Sequence, residues 1–226
     1  EKVAFSKKSE HARIFYCERN IFPVRSSMRG EIVYMYNLDH VSDQDIIPLL
    51  LQDRNVFGVL VKRYENPLSR YIRRIGVVSK DDREDVLQNI FIKTYRNIQS
   101  FDTALSFSTW IYRIAHNEAV SLLRAKKVRP EGHLVEDGED ALAKLFDDAD
   151  FVELLDKKIQ AAQIASHVEK LDQIYQDVII LRYFEDRSYT EISDILKIRE
   201  GTVATLLHRA KKKLKILIEN DQKKYE

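Results

Sequence analysis

Leu87, Ile90, Phe91, Thr94, Tyr95 and Ile98 recur three and four residues apart. Successive residues of a helix turn by about 100°, so this spacing gathers them on one side and predicts a core-facing stripe. Asp85, Gln88, Asn89, Ile92 and Arg96 fall on another face of the same stretch. The stretch opens with Ser79, and Asp82 follows three residues on, a capping-box spacing that predicts where the helix starts. A second inward stripe runs through Ile111, Ile114, Ala115, Ala119 and Leu122, and a third through Val203, Leu207, Ala210 and Leu214. Proline stands at 23, 48, 67 and 130 only, so long helices are permitted from 68 to 129 and beyond 130. Helices are expected to break near Pro48 and Pro67. Alternating β patterns with paired turn signals are missing, and the expected fold class is all-α.

The stripes fall into two helical blocks, 42–128 and 161–226. In the second, "SYTEISDIL" begins with Ser188 and Glu191, another capping box, and "KIREGTVATLLHRAKKKLKIL" follows. A short helix, a tight turn and a second helix make the helix-turn-helix layout. Between the blocks, residues 129–160 change character: from Glu131 to Asp156 there are ten acidic residues against one basic, Lys144. This stretch is read as an acidic, flexible linker. Residues 1–41 show no usable period and are set apart as an N-terminal extension of unknown role.

Composition narrows the class. The chain has 226 residues, 44% hydrophobic and 32% charged, which suits one or two domains with real cores. The net charge of +1 gives no sign of a nucleic-acid partner, but the acidic linker cancels basic ends on either side of it. A single cysteine, Cys17, excludes a disulfide framework and makes a cytoplasmic setting the expectation. No apolar run approaches the roughly 20 residues needed to cross a bilayer, so no membrane insertion is expected. No Gly-rich phosphate loop, HExxH or GxSxG occurs, and the six histidines are scattered singly. No enzyme activity, cofactor or metal is expected.

"FSTWIYRIAHNEAVSLLR", residues 107–124, mixes aromatic and basic residues within one helix length. On a helical wheel Trp110, Arg113, Asn117, Ser121 and Arg124 lie within roughly 80° of one another, opposite the apolar arc. Lys126, Lys127 and Arg129 continue the positive charge, and Phe101 and Phe107 stand in or beside the preceding loop. One reading makes this an outward strip whose aromatics stack on single-stranded bases while the cations hold phosphates. The other makes Trp110 a packing residue and the cations a solvated face. Tyr112 points away from the strip and is expected in the core.

"EDVLQNIFIKTYRNIQSFDTALSFSTWIYRIAHNEAVSLLR" resembles the second conserved region of bacterial RNA polymerase sigma factors, most closely the compact extracytoplasmic-function (ECF) group. "LRYFEDRSYTEISDILKIREGTVATLLHRAKKKL" resembles their fourth region. The likeness covers about Ser42 to Leu214, with both motifs in order. It implies a protein that binds core RNA polymerase at the β′ clamp and β flap and directs promoter recognition, DNA opening and transcription initiation. It implies polymerase binding by Asp85, Gln88, Asn89 and Ile92. For the minus-ten element it implies Phe101, Phe107, Trp110, Arg113, Asn117, Arg124 and Lys127. For the minus-thirty-five element it implies Arg199, Thr202, Thr205, His208, Arg209 and Lys212. An anti-sigma factor is the further partner that it implies. The chain departs from the family pattern in having Ser121 where an acidic residue is common. Ala204 and Leu206 replace basic residues, and Arg199 replaces a turn proline. A conventional helix-turn-helix regulator, independent of polymerase, explains the second block equally well but leaves the Trp110 strip and the 85–92 face without a purpose. A third reading, a sigma-related interaction module that no longer initiates, is consistent with the uncharged positions 204 and 206.

Overall fold

The computed structural model describes residues 3–5, 34–36, 41–52, 54–103, 105–126 and 166–222. Among the described residues the helices are α1 (Asp43–Gln52), α2 (Phe57–Arg74), α3 (Lys80–Asn97), α4 (Phe107–Lys126), α5 (Gln173–Ile179), α6 (Tyr189–Leu196) and α7 (Glu200–Gln222). The fold is all-α as expected, with one short pairing besides: β1 (Val3–Phe5) lies antiparallel to β2 (Tyr34–Tyr36), with Val3 opposite Tyr36. The acidic linker and Lys127 lie outside the described residues, as does most of the stretch 1–41.

Neither proline ends its helix. Pro48 sits inside α1 and Pro67 inside α2. A helix-interior proline costs about 3 kcal/mol through its missing N–H and its clash with the preceding turn. The apolar residues around each one are fully or nearly fully buried, Ile46, Ile47 and Leu50 in α1 and Leu68, Tyr71 and Ile72 in α2. Burying each such side chain is worth about 1.5–3 kcal/mol, which outweighs the local loss. That is why the expected breaks do not occur.

The described residues pack as two compact units, one within residues 1–65 with 95–107 and one within residues 66–94 with 108–226. In the first unit, Ser42 caps α1 by accepting from the Asp45 amide at 3.3 Å. The Asp43 carboxylate accepts from the Tyr64 hydroxyl and the Arg63 guanidinium, which fastens the start of α1 to α2. The core holds Leu60, Val56, Ile98 and an aromatic group in which Phe107 meets Tyr64 and Phe101 edge-on, centroids 5.5 and 5.8 Å apart.

The second unit takes helices from both sequence blocks. Its core includes Leu68, Tyr71, Ile72 and Ile75 from α2, Val86, Leu87 and Ile90 from α3, and Ile111, Ala115, Ala119 and Leu123 from α4. From the second block come Val178 and Ile179, Ile192 and Ile195, and the α7 stripe Val203, Leu207, Ala210 and Leu214. Gly76 turns the chain from α2 to α3 at φ 118°, a conformation that suits glycine. Downstream, α5 continues into a π-helical turn, Ile180–Phe184, closed by the Glu185 amide donating to the Ile180 carbonyl at 3.0 Å. Ser188 then starts α6 with a full capping box: it accepts from the Glu191 amide, and its own amide donates to the Glu191 carboxylate at 2.9 Å. Lys197 ends α6 in the left-handed conformation, φ 57°, and α7 begins three residues on, completing the helix-turn-helix.

Candidate nucleic-acid and protein interfaces

The α3 stripe is placed as its spacing predicts. Leu87, Ile90, Thr94 and Ile98 are buried, Phe91 and Tyr95 half-buried, and Asp85, Gln88, Asn89 and Ile92 exposed. Ile92 leaves 46% of its surface in water although its helix has an apolar side to offer it. At the start of α3 only half of the expected box forms, and weakly, with the Asp82 amide 3.5 Å from the Ser79 hydroxyl. Asp82 is one methylene shorter than the glutamate that completes such a box. Its two carboxylate oxygens accept instead from Lys126 at 2.6 Å.

On α4 the expectation divides. Asn117, Ser121 and Arg124 are exposed and Arg113 is half-buried, so the polar part of the strip is at the surface. The aromatic part is not. Trp110 is only 7% exposed, Phe101 8% and Phe107 1%. These three do not present open ring faces for stacking, which corrects the outward reading of Trp110. The reason lies in the first turns of α4, where Phe107 and the whole run Thr109–Tyr112 are buried. A wheel assumes one wet side, and this end of the helix has none; the amphipathic arc emerges only from Arg113 onward. Tyr112 is buried as expected, while Ile114 and Leu122 are half-buried and Leu123 takes the last inward position.

On α7 the two faces separate cleanly. Val203, Leu207, Ala210 and Leu214 are buried, and Arg199, Thr202, Thr205, His208, Arg209 and Lys212 are all exposed. The five on α7 therefore share its outer side, with Arg199 exposed in the turn before it, and such a second helix can enter a major groove.

Within the second unit lies a polar cluster that sequence reasoning missed. Arg74, at the end of α2, donates to Glu185, just past the π-helical turn, at 2.6 Å; their side chains are 9% and 7% exposed. The Tyr112 hydroxyl donates to the other Glu185 oxygen at 2.8 Å. The Arg187 guanidinium stacks over the Tyr112 ring, 4.1 Å from its centroid, and donates to Glu191 at 3.2 Å. Thr109 donates to that same Glu191 oxygen at 3.4 Å. Beside these, His116 Nε2 is 3.9 Å from Asp177 on α5, and His116 Nδ1 is 3.1 Å from the Tyr71 hydroxyl. Thr109, Tyr112 and His116 form one stripe of α4.

Burial sets the protonation of this cluster. It pushes the Asp177 carboxyl up to about 7, against the pull of the Gln173 amide that donates to it at 2.7 Å. It pushes His116 down to about 4, helped by the positive charge of Arg124, so the imidazole is neutral at pH 7. Glu185 is raised by burial and held back by Arg74 and Tyr112. Burial lifts the Tyr112 phenol above its usual range, and Glu185 adds to the shift. No local signal in the chain could have found the pair Arg74 and Glu185, which stand 111 residues apart.

Among the described residues no helix is long and apolar enough to cross a membrane. Comparison with known proteins matches residues 60–129 to Sigma-70 region 2 and residues 162–214 to Sigma-70 region 4. The ECF RNA polymerase sigma-E factor of Haemophilus influenzae is 35% identical over 188 residues, covering 80% of this chain and 96% of that protein. Two solved structures share the fold. CnrH in complex with the cytosolic domain of CnrY has a TM-score of 0.57 at 24% identity, covering 79% of this chain and 98% of CnrH. The Bartonella quintana sigma factor RpoE in complex with the anti-sigma factor NepR has a TM-score of 0.50 at 20% identity, covering 72% and 96%. With both sigma regions present in order and a relative matched over almost its whole length, the chain belongs to the ECF sigma factors, the initiation factors of bacterial RNA polymerase.

Proposed function

We propose that this sigma factor docks on core RNA polymerase through the α3 face of Asp85, Gln88, Asn89 and Ile92. The observation that carries this reading is the exposure of Ile92 in the middle of a polar stripe on a helix whose other side is buried. An apolar side chain ringed by polar groups is the usual centre of a protein interface. The outer face of α4 then meets the minus-ten element, with Asn117 at a base edge and Arg113 and Arg124 at phosphates, and Lys127, next in the chain, is a further cation for that contact. Trp110, buried on the same helix, supports that face from within rather than stacking in the open. On α7, Thr202 and Thr205 lie near the bases of the minus-thirty-five element, and Arg199, His208, Arg209 and Lys212 lie near its phosphates. An anti-sigma factor is the partner that restrains these faces; the fold relatives above include a sigma factor held by one.

The test is binding of the full chain to bacterial core RNA polymerase, beside Asp85→Arg. The substitution reverses a charge on an exposed face, so the fold should survive it. We expect affinity to fall at least tenfold, about 1.4 kcal/mol. Equal affinity in the two proteins would remove the α3 face from the interface. No binding by either, with both shown folded, would favour a regulator that reads duplex DNA alone.

A further inference from the structure

We infer that Thr205 reads a thymine of the minus-thirty-five element through its methyl group, with Gly201, one turn ahead, letting the α7 backbone come close enough for that contact. The inference rests on the proposed place of α7 in the major groove and names what its first two turns recognise. The side chains that make paired hydrogen bonds with a base edge are Arg or Lys on guanine and Asn or Gln on adenine. None of these stands at the exposed positions 200, 201, 202, 204 and 205, where a reading helix meets the bases. The cations stand to either side, Arg199 in the preceding turn and Arg209 and Lys212 further along, places that suit phosphates.

The Thr205 hydroxyl is already committed. It donates to the Gly201 carbonyl at 2.9 Å, back along its own helix. Its proton is therefore withheld from DNA, and guanine, which offers only acceptors in the major groove, gains nothing from it. The oxygen can still accept, and the methyl remains. An A·T pair matches both, with the N6 donor of adenine and the 5-methyl of thymine; a G·C pair offers a donor on cytosine but no methyl. Gly201 is an independent observation. Its backbone is ordinary helix without a positive φ, and a Cβ there would meet no packed neighbour within 4 Å. Glycine at an exposed helical position lowers stability relative to alanine, and neither conformation nor packing within the chain calls for it. Close approach of the backbone to a ligand does. Gly201, Thr205 and Arg209 follow at intervals of four, so the glycine, the methyl and a proposed phosphate cation share one side of α7.

In the experiment the full chain, with bacterial core RNA polymerase, selects duplexes from a pool randomised over both elements. The tightest is remade with deoxyuridine in place of each thymine of its minus-thirty-five element in turn. Uracil pairs as thymine does and lacks only the 5-methyl. Burying one methyl group is worth about a fourfold change in affinity, so wild type should bind about threefold to tenfold more weakly when one of the thymines is replaced. Thr205→Ser, which keeps the hydroxyl, should lose as much on the thymine duplex and be indifferent to uracil at that position. Thr205→Val, which keeps a methyl, should retain the sensitivity. Gly201→Ala should melt no lower than wild type yet bind the thymine duplex at least about fivefold more weakly. A selected element without thymine, wild-type indifference to every uracil, or equal uracil sensitivity in Thr205→Ser and wild type would overturn the methyl contact. Gly201→Ala binding like wild type would overturn the close approach. If Arg209→Ala still weakens binding in those cases, α7 stays in the groove and only the methyl readout fails. If no α7 variant alters binding, the placement of α7 itself fails.

Discussion

Asp177 is a carboxyl with almost no water around it, and its surroundings fix how stability changes with pH. Its folded pKa, about 7, lies above the ordinary 3.8, because burial disfavours the charged form. The folded state therefore holds this proton when the unfolded chain has lost it. Stability from this group declines as pH rises from about 3.8 to about 7 and is level beyond. His116 works the other way. Its folded pKa, about 4, lies below the ordinary 6.5, so stability is lost as pH falls from about 6.5 to about 4. The two slopes oppose each other over most of that range. The charged and titratable groups around the pair include Tyr71 on α2, Arg124 on α4 and, beyond Tyr71, Tyr112, Glu185 and Arg187. Asp177→Asn keeps the oxygen that accepts from Gln173 and removes only the acid's slope. The variant should melt above wild type at pH 8, and its margin should exceed that at pH 5 by at least about 3 °C, or about 1 kcal/mol in a chain of this size. A margin equal at both pH values would show that Asp177 does not titrate in this window.

At the scale of elements, legibility followed how many sides of a helix are wet. For α3 and α7, each with one dry stripe, spacing alone placed Ile90 inside, Ile92 outside, Leu207 inside and Arg209 outside. Ser188 and Glu191 marked the start of α6 because a capping box is a local interaction between near neighbours. Trp110 was misread because the first turns of α4 are enclosed, and no periodicity distinguishes a wet aromatic from an enclosed one. The π-helical turn was illegible too, yet it matters to the cluster. In a regular helix Asp177 and Glu185, eight residues apart, would differ by about 80° in direction. A wide turn absorbs roughly one residue, which brings the two within about 20° and lets both face α4. With α7 in the groove as proposed, the lack of basic side chains at Ala204 and Leu206 would put the burden of contact on its remaining cations. Arg209→Ala should weaken promoter binding severalfold and lower the salt slope by about 1, while Ala204→Ser changes neither. Equal affinities for the two variants would argue against this placement of the helix.

For the whole molecule, charge is distributed against itself. The stretch from Glu131 to Asp156 carries a net charge of about −9 in a chain whose total is +1. Acids on the same chain as the proposed reading faces would compete with DNA phosphates for them, most strongly at low salt. Replacing these acids by Asn and Gln should raise affinity for random duplex at least threefold at 50 mM salt and leave it nearly unchanged at 300 mM; a titration at both salts that finds no gain would dismiss the competition. The long-range part of the molecule, the pairing of Arg74 with Glu185, was invisible in the sequence because a contact across so many residues leaves no local periodicity. That pairing has a consequence for dosage. A separate inhibitor silences a sigma factor only while it is in excess, so overproducing the sigma factor titrates it away. A contact within one chain has no stoichiometry to exceed, so the fraction of molecules in which Arg74 and Glu185 are paired is the same at one copy per cell or a thousand.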